Sequence, residues 1–273
     1  MRARQRISEA RVAQLQEQLG QRERAVIETL DNVRLATASQ LERLHFTQGM
    51  PLANARQCRR TLKRLSELRV LARLDRRVGG VRSGSAGYIY ALDVAGQRLA
   101  SASGPAGGIR VRRPWTPGAP FVRHGLAVTE LYCRLREAER AGKLDLLEFW
   151  AEPLCWRRFT GVGGGRVVLK PDAFVRLGLG EYEHASFIEV DRATQSGPTV
   201  ANKLTVYRRY WQTGREQERF GVFPRVVILA PSEVRREALV EVCGKQPADA
   251  WALFRVAHYD AALDVLAGAG RES

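Results

Sequence analysis

The fold is decided by the stretch at residues 170–191, which reads KPDAFVRLGLGEYEHASFIEVD. Two runs in this stretch place an apolar side chain at every second position, a period typical of half-buried β-strands. The alternating apolar residues are Ala173, Val175, Leu177, Ile188 and Val190. Gly178-Leu179-Gly180 lies between the runs and predicts a turn. The stretch therefore predicts a β-hairpin.

The acidic residues of this hairpin are placed to meet. Asp172 and Glu189 are equidistant from the midpoint between Gly180 and Glu181, so they lie opposite each other in an antiparallel pair. Side-chain alternation puts Asp191 on the same face. Opposed like charges are destabilising unless something neutralises them, and a hard divalent cation with oxygen ligands is the usual solution. The hairpin thus predicts a site for Mg²⁺ or Mn²⁺.

The positive charge is concentrated in the first part of the chain. The 273 residues carry a net charge of +15, and residues 1–115 contain 22 Lys and Arg against 9 Asp and Glu. Such an asymmetry is typical of a surface that binds a polyanion. Nucleic acid is the simplest partner, and an anionic membrane surface is the alternative.

The composition argues against a membrane-spanning protein, a zinc protein and a disulfide-stabilised protein. The length suits one large or two ordinary domains, and no apolar run approaches the length of a membrane-spanning helix. With a charged N-terminal segment, this predicts a cytoplasmic protein. Cys58, Cys133, Cys155 and Cys243 are too widely spaced for a zinc site or a disulfide framework, so we expect small buried apolar residues.

Residues 22–95 follow the order of a winged helix-turn-helix. Helical periodicity at 23–30 is followed by a helix from an N-cap at Thr37 to about residue 46, and by a longer helix at 51–68. Two strand-like runs follow at 70–76 and 88–92, joined by a loop rich in Gly, Ser and Arg. In such domains the third helix enters the DNA major groove and the hairpin wing contacts the backbone.

The residues expected to contact DNA lie on this third helix and on the wing. They are Asn54, Arg56, Gln57, Arg59, Arg60, Lys63, Arg64, Arg76, Arg77 and Arg82. The alternative is a solvated basic face on a winged helix that binds protein, because charge alone does not distinguish DNA from other anions.

The rest of the chain has a different organisation. Residues 1–21 predict an N-terminal helical arm or a packing helix, and residues 96–120, rich in Gly, Ser and Pro, predict a linker. Residues 121–273 alternate strands and helices in the order expected of an α/β domain with a mixed sheet. The run at 226–229 is apolar on both faces, as a central strand must be.

Three short motifs of the second domain, and the chain as a whole, resemble known protein families. Pro171-Asp172, Glu189-Val190-Asp191 and Lys203-Leu204-x-x-Tyr207 resemble the core of the PD-(D/E)xK nucleases. The chain from about residue 22 to 260 resembles the replication-relaxation family of mobile plasmids and the related MobC-type mobilisation relaxases. This resemblance implies metal-dependent nicking or processing of plasmid DNA near an origin.

Site residues follow from the resemblance position by position. Asp172 and Glu189 would be metal ligands, and Asp191 stands where the motif expects lysine. The backbone carbonyl between Glu189 and Asp191 would be a third ligand. Asp191 would be another ligand or would form a salt bridge to the adjacent arginine or to a helix lysine. Lys203 would supply the missing lysine from the next helix, and Lys170 is a second candidate.

Other polar residues near the motif are weaker candidates. Tyr207 follows Lys203 by four residues and shares its helix face, where a core or DNA-stacking role is favoured over catalysis. His124 and Glu130, on the first helix of the second domain, are favoured as structural.

Three hypotheses follow for the function. The leading one is an Mg²⁺-dependent nicking enzyme that acts on the double-stranded origin region of a plasmid. The second is a DNA-binding regulator or accessory protein with an inactive nuclease-like domain, since a shared fold does not imply shared chemistry. The third is an interaction module that recruits the true relaxase. Other relaxosome proteins and a second copy of the chain are the expected protein partners.

Overall fold

The computed structural model describes residues 7–78, 87–103, 117–161 and 163–268. By its internal contacts the chain divides into two compact units, Met1–Cys133 and Arg134–Ser273. Separate clusters of buried apolar side chains form within the first unit and within the second. The expected combination of helices with a mixed sheet is confirmed at the level of α+β architecture.

The first unit is mostly helical. Its elements are α1 (Glu9–Gln18), α2 (Gln21–Val33), β1 (Ala36–Thr37), α3 (Ala38–His45), α4 (Pro51–Glu67), β2 (Leu71–Val78), β3 (Gly87–Leu92) and α5 (Val94–Ser103). The strands pair antiparallel in the order β1-β3-β2. Three helices followed by a β-hairpin are therefore present in the order expected from the sequence.

Helix α3 begins at a capping box. The Gln40 amide donates to Thr37 Oγ1 at 3.1 Å, and the Thr37 amide donates to Gln40 Oε1 at 3.0 Å. This reciprocal pair satisfies two amide groups that the start of a helix otherwise leaves without partners. The predicted N-cap at Thr37 is confirmed.

Helix α1 packs within the first unit, as in the packing-helix alternative for the N-terminal segment. Leu15 of α1 is fully buried in the same apolar cluster as Leu99 of α5, and Arg98 donates to the Ile7 carbonyl at 2.5 Å. An amphipathic helix gains most of its stability from such tertiary packing of its apolar face.

Helix α5 occupies residues that the sequence assigned to the linker. Gly96 allows this helix to approach the start of β2 closely, because a Cβ at Gly96 would lie 2.2 Å from the Val70 carbonyl oxygen. Packing against that backbone outweighs the low helix propensity of glycine. Residues 104–116 of the expected linker lie outside the described residues.

The second unit is built on a mixed sheet. Its elements are β4 (Asp145–Ala151), β5 (Arg157–Thr160), β6 (Arg166–Leu169), β7 (Ala173–Leu179), β8 (Tyr182–Val190), α7 (Gly197–Trp211), α8 (Arg215–Phe220), β9 (Arg225–Ala230), α9 (Glu233–Gly244), β10 (Phe254–His258) and α10 (Ala262–Leu266). The sheet order is β10-β9-β8-β7-β4. Strand β9, between β8 and β10, is the central apolar strand expected at 226–229.

The connection between β8 and β9 positions the candidate site. β8 pairs antiparallel with β7 and parallel with β9. Parallel neighbours require a crossover, and α7 belongs to this one. The helix that follows the end of β8 therefore runs back along the sheet from the edge at which Glu189 and Asp172 lie.

Helix α6 (Ala119–Arg140) crosses the division between the units. Thr129 Oγ1 donates to the Leu35 carbonyl in the first unit at 2.6 Å, and Arg134 donates to the Tyr259 carbonyl in the second at 2.9 Å. The sequence assigned the helix to the second domain alone, because helical periodicity does not reveal which core each turn joins.

The strands β5 and β6 form a separate two-stranded ribbon between β4 and β7. The four-residue run at Arg157–Thr160 carries two arginines and no apolar alternation beyond Phe159, so its sequence has little strand signal. In the part of the chain that the structure describes, no helix is both long and apolar enough to span a membrane.

Gly96→Ala should lower the free energy of unfolding by about 1–3 kcal/mol, because the added methyl group overlaps the Val70 carbonyl. Gly125→Ala is the matched control, since a Cβ there meets Leu35 at an ordinary 3.5 Å and alanine favours the helix by up to about 1 kcal/mol. Urea unfolding of both variants provides the measurement. Equal stabilisation by the two substitutions would contradict the close packing of α5.

Candidate functional site

The β7–β8 hairpin has the register that the sequence predicts. Ala173 pairs with Ile188 and Phe174 with Phe187, which places Asp172 opposite Glu189 at the open end. The first strand extends two residues further than expected, through Gly178 and Leu179. Leu179 still pairs with Tyr182, and the turn is formed by residues 180–181 with Gly180 at a φ of +59°.

Both faces of the hairpin are buried at this end, whereas one half-buried face was expected. Strand β8 is buried continuously from Phe187 to Val190, because it lies between β7 and β9. Phe174 and Phe187 pack in a cluster with Leu204 and Tyr207 of α7. The acidic residues therefore lie at the margin of an apolar core.

Asp172 is held by the backbone of its neighbours. The Val190 amide donates to its Oδ2 at 2.7 Å, and its own amide donates to the Ile188 carbonyl at 3.0 Å. Its carbonyl accepts from the Glu152 amide at 3.1 Å. These bonds extend the sheet by one row beyond the ends of the strands and fix the direction of the Asp172 carboxylate.

Glu189 is the most deeply buried acid of the hairpin, with 6% of the residue exposed. The Tyr207 hydroxyl donates to its Oε1 at 2.5 Å, and the Lys203 ammonium donates to its Oε2. The same ammonium lies 3.9 Å from Asp172 Oδ1. One cation thus faces both carboxylates, and α7 supplies both donors to Glu189.

Helix α7 presents these donors because of its spacing. It begins after Ser196 with Pro198 in its first turn, where a missing amide costs no hydrogen bond. Val200, Leu204 and Tyr207 form its buried stripe, and Lys203 lies on the border of that stripe four residues before Tyr207.

The electrostatics of the cluster follow from burial. Removal from water, and then the neighbouring Asp172 charge, raise the pKa of Glu189 to about 8, against the opposing effect of Lys203 and Tyr207. Burial disfavours the Lys203 ammonium, but the two carboxylates outweigh it and raise the pKa of Lys203 to about 12. Burial and Glu189 raise the pKa of Tyr207 well above its usual value, so this phenol remains a proton donor.

Asp191 is engaged elsewhere. Arg235 of α9 donates from Nε to Asp191 Oδ2 at 2.7 Å and from a second nitrogen to Oδ1 at 3.0 Å. The Ala193 amide also donates to Oδ2, at 2.9 Å. Of the two roles that the sequence left open, the contacts match a salt bridge, with a partner that the sequence did not indicate.

The remaining candidates have separate environments. Lys170 is exposed and lies over the ring of Trp156, 4.9 Å from its centroid. Glu130 pairs with Arg43 at 2.7 Å and accepts from Gln40 at 3.1 Å, both within the first unit. These contacts fit the structural role favoured for Glu130.

Two residues near the cluster have no signal in the sequence. Glu152 lies beside Asp172 in the next strand position of β4, and its charge contributes to the raised pKa of Lys203. Cys155 donates to the Pro171 carbonyl at 3.0 Å, and burial raises the pKa of its thiol. Sheet order brings these residues to the site, and sheet order is not readable from local sequence patterns.

Helix α4 carries a basic surface in the first unit. Arg56, Gln57, Arg59, Arg60, Lys63 and Arg64 are exposed. Arg64 pairs with Glu23, and Lys63 lies 3.9 Å from Glu67. The half-buried Asn54 donates to the Gly49 carbonyl at 3.1 Å. The side chains of Arg76, Arg77 and Arg82, also expected at the DNA surface, lie outside the described residues.

The fold and the cluster define a two-unit α+β protein with a buried acid–lysine cluster at the edge of a mixed sheet. The replication-relaxation family matches residues 27–226, and the chain belongs to this family. Membership suggests a role in plasmid replication or mobilisation, and this role involves DNA. No curated protein and no solved structure matches the chain.

The raised pKa of Glu189 makes stability depend on pH. Between about pH 4.5 and 8 the folded protein binds more protons at Glu189 than the unfolded chain, so the free energy of unfolding falls as the pH rises. The slope from this residue is at most about 1.4 kcal/mol per pH unit. Urea unfolding across this range should show a shallower decline in Glu189→Gln. An identical slope in the two proteins would contradict the burial effect.

Proposed function

We propose that the protein binds plasmid DNA through its first unit and cleaves a phosphodiester bond at the Asp172–Glu189–Lys203 cluster of its second. The observation that carries this proposal is the convergence of the three side chains. One ammonium faces two carboxylates that project from adjacent strands. The helix, mixed-sheet and crossover-helix order is the setting in which PD-(D/E)xK nucleases place such residues, with the lysine supplied here from α7.

The carboxylates suit a divalent cation by their chemistry. Mg²⁺ is commonly held by one or two protein carboxylates while it keeps several waters. Within the described ranges no group of three or more His, Cys, Asp or Glu side chains is arranged to hold a metal ion. In this proposal Asp172 and Glu189 would be the two protein ligands, and water would complete the coordination. Bound there, Mg²⁺ or Mn²⁺ would polarise a phosphate and lower the pKa of a water molecule.

The chain's own groups have distinct tasks in this proposal. The Val190 amide fixes the Asp172 carboxylate, and the Tyr207 hydroxyl fixes that of Glu189. Lys203 places a permanent positive charge where negative charge develops on the phosphate oxygens. Tyr207 acts as a positioning residue, because its hydroxyl is fully buried and already donates to Glu189.

The first unit supports recognition of duplex DNA. Helices α2, α3 and α4 with the β2–β3 hairpin have the order of a winged helix-turn-helix, in which α4 would be the recognition helix. Its exposed basic side chains can neutralise phosphates and reach base edges. The proposed partners are the double-stranded origin region, other relaxosome proteins and a second copy of the chain.

One observation favours a second candidate function, that of a DNA-binding regulator without nuclease activity. The Lys203 ammonium already contacts Glu189, lies 3.9 Å from Asp172 and offsets part of their negative charge without a metal ion. A cluster of this kind can serve as a structural ion pair, for which breaking one partner is strongly destabilising. The two candidates differ in whether cleavage occurs.

Cleavage separates the candidates. With Mg²⁺, the protein should nick supercoiled plasmid DNA that carries the origin region of its replicon. Asp172→Asn and Glu189→Gln should abolish nicking, and Lys203→Met should slow it roughly 100-fold. Glu181→Gln, in the exposed turn of the same hairpin, is the matched control and should nick at the wild-type rate.

Duplex binding and circular dichroism of each variant distinguish a lost reaction from a lost fold. Nicking that persists in folded Asp172→Asn and Glu189→Gln would assign the reaction to another site. Absence of nicking in the wild-type protein over a range of Mg²⁺ and Mn²⁺ concentrations would favour the regulator.

Recognition by α4 has a separate test. Arg60→Glu should weaken duplex binding about tenfold and lower the slope of log K against log salt by about 0.9. Arg123→Glu on α6 is an exposed helical arginine of the same unit and should leave the slope unchanged. Fluorescence anisotropy at several salt concentrations measures both. Equal effects of the two substitutions would point to non-specific charge and remove α4 from the interface.

A further inference from the structure

The β5–β6 ribbon is inserted into the chain between two acidic residues that lie side by side at the candidate site. Glu152 precedes the ribbon and Asp172 follows it, and the Glu152 amide donates to the Asp172 carbonyl at 3.1 Å. Lys170 stands two residues before Asp172, so their Cα atoms are at most about 7 Å apart. The base of the ribbon therefore adjoins the candidate site.

The ribbon has an inner apolar face. Arg157 pairs with Leu169, and Phe159 pairs with Val167, so these four side chains share one face. Phe159 and Leu169 are buried in the cluster that also contains Tyr207 of α7. This packing fixes the ribbon beside the helix that supplies Lys203 and Tyr207.

The outer face of the ribbon is basic. Arg158, Thr160, Arg166 and Val168 occupy it by alternation, and Lys170 continues the same series beyond the end of β6. Arg158, Arg166 and Lys170 are all exposed. From residue 153 to residue 171 the sequence contains four basic residues and no acidic residue. The outer face thus presents unbalanced positive charge.

Two neighbouring side chains bear on this outer face. Trp156 is half-buried against the apolar cluster of the second unit, and the Lys170 ammonium lies over its ring, 4.9 Å from the centroid. Arg215 of α8 donates to the Arg158 carbonyl at 3.0 Å, which brings another guanidinium to the ribbon. The inner cation, Arg157, is occupied by Glu216 at 2.6 Å and takes no part.

We infer that the outer face of the β5–β6 ribbon binds the phosphodiester backbone of DNA next to the Asp172–Glu189–Lys203 cluster. This inference rests on the proposed function for its ligand, since DNA is the polyanion that such a cluster would process. Exposed cations spaced along one face of a ribbon can neutralise successive phosphates of a nucleic-acid strand. The basic helix α4 belongs to the first unit, so the ribbon is a second DNA-binding element.

The test reverses the outer charges in the full chain. Arg158→Glu, Arg166→Glu and Lys170→Glu together are compared with Lys143→Glu, Lys245→Glu and Arg255→Glu, three exposed residues of the same unit. Both triple variants change the net charge equally. Binding of fluorescent single-stranded and duplex oligonucleotides is measured by anisotropy in EDTA at several salt concentrations, which keeps the measurement independent of cleavage.

We expect the ribbon variant to lower the slope of log K against log salt by about 2 on single strands, or about 3 on duplex, from the loss of three phosphate contacts. The larger loss of affinity, on single-stranded or on duplex DNA, shows which of these two forms the ribbon binds. The control variant should retain the wild-type slope on both. Wild-type binding by the ribbon variant, or equal loss in the two triple variants, overturns the inference.

A milder substitution guards against loss of the fold. Arg158→Gln, Arg166→Gln and Lys170→Gln together remove the charges without adding new ones and should lower the slope in the same direction. The outcome is separable from that of the cleavage experiment. If the protein does not nick DNA but the ribbon variants bind DNA more weakly, the ribbon is a second DNA-binding element of an inactive protein. If the protein nicks DNA but the ribbon variants bind normally, only the DNA-binding role of the ribbon is excluded.

Discussion

The ammonium of Lys203 lies against two carboxylates at the edge of an apolar core, and the second unit depends on this contact. Glu189 is 6% exposed, so its carboxyl group requires hydrogen-bonding partners inside the protein. Lys203 and Tyr207 provide two hydrogen bonds, and both come from one turn of α7. The position of α7 relative to the sheet is therefore tied to the chemistry of the cluster. A buried charged group of this kind is stable only with its partners in place.

The two units divide the proposed work by their electrostatics. The first unit carries exposed cations on α4 that face water, where they attract a polyanion over a distance limited by salt screening. The cations of the second unit are of two kinds. Lys203 is held by buried acids, whereas Arg158, Arg166 and Lys170 remain exposed on the ribbon. Membership of the replication-relaxation family gives this distribution a DNA-related context.

Asp191 shows how a contact from a distant helix bears on a role that the motif leaves open. It follows Glu189 by two residues and shares its face by alternation, which made it a candidate ligand. Strand β8 ends at Val190, and Arg235 on α9 binds both oxygens of Asp191. A bidentate guanidinium–carboxylate pair satisfies the acid fully and ties α9 to the end of the sheet. Asp191, a neighbour of the site in sequence, therefore links the end of β8 to α9.

The sequence by itself determined the hairpin, its register and the opposition of Asp172 and Glu189, because alternation and symmetry about a short turn are local properties. It also located α3, α4 and the basic surface of α4. Only the tertiary structure decided the partner of Asp191, the place of Glu152 beside Asp172, the burial of both hairpin faces and the packing of α1 and α5. These features depend on strand order and on the contacts of distant segments, which local periodicity does not encode.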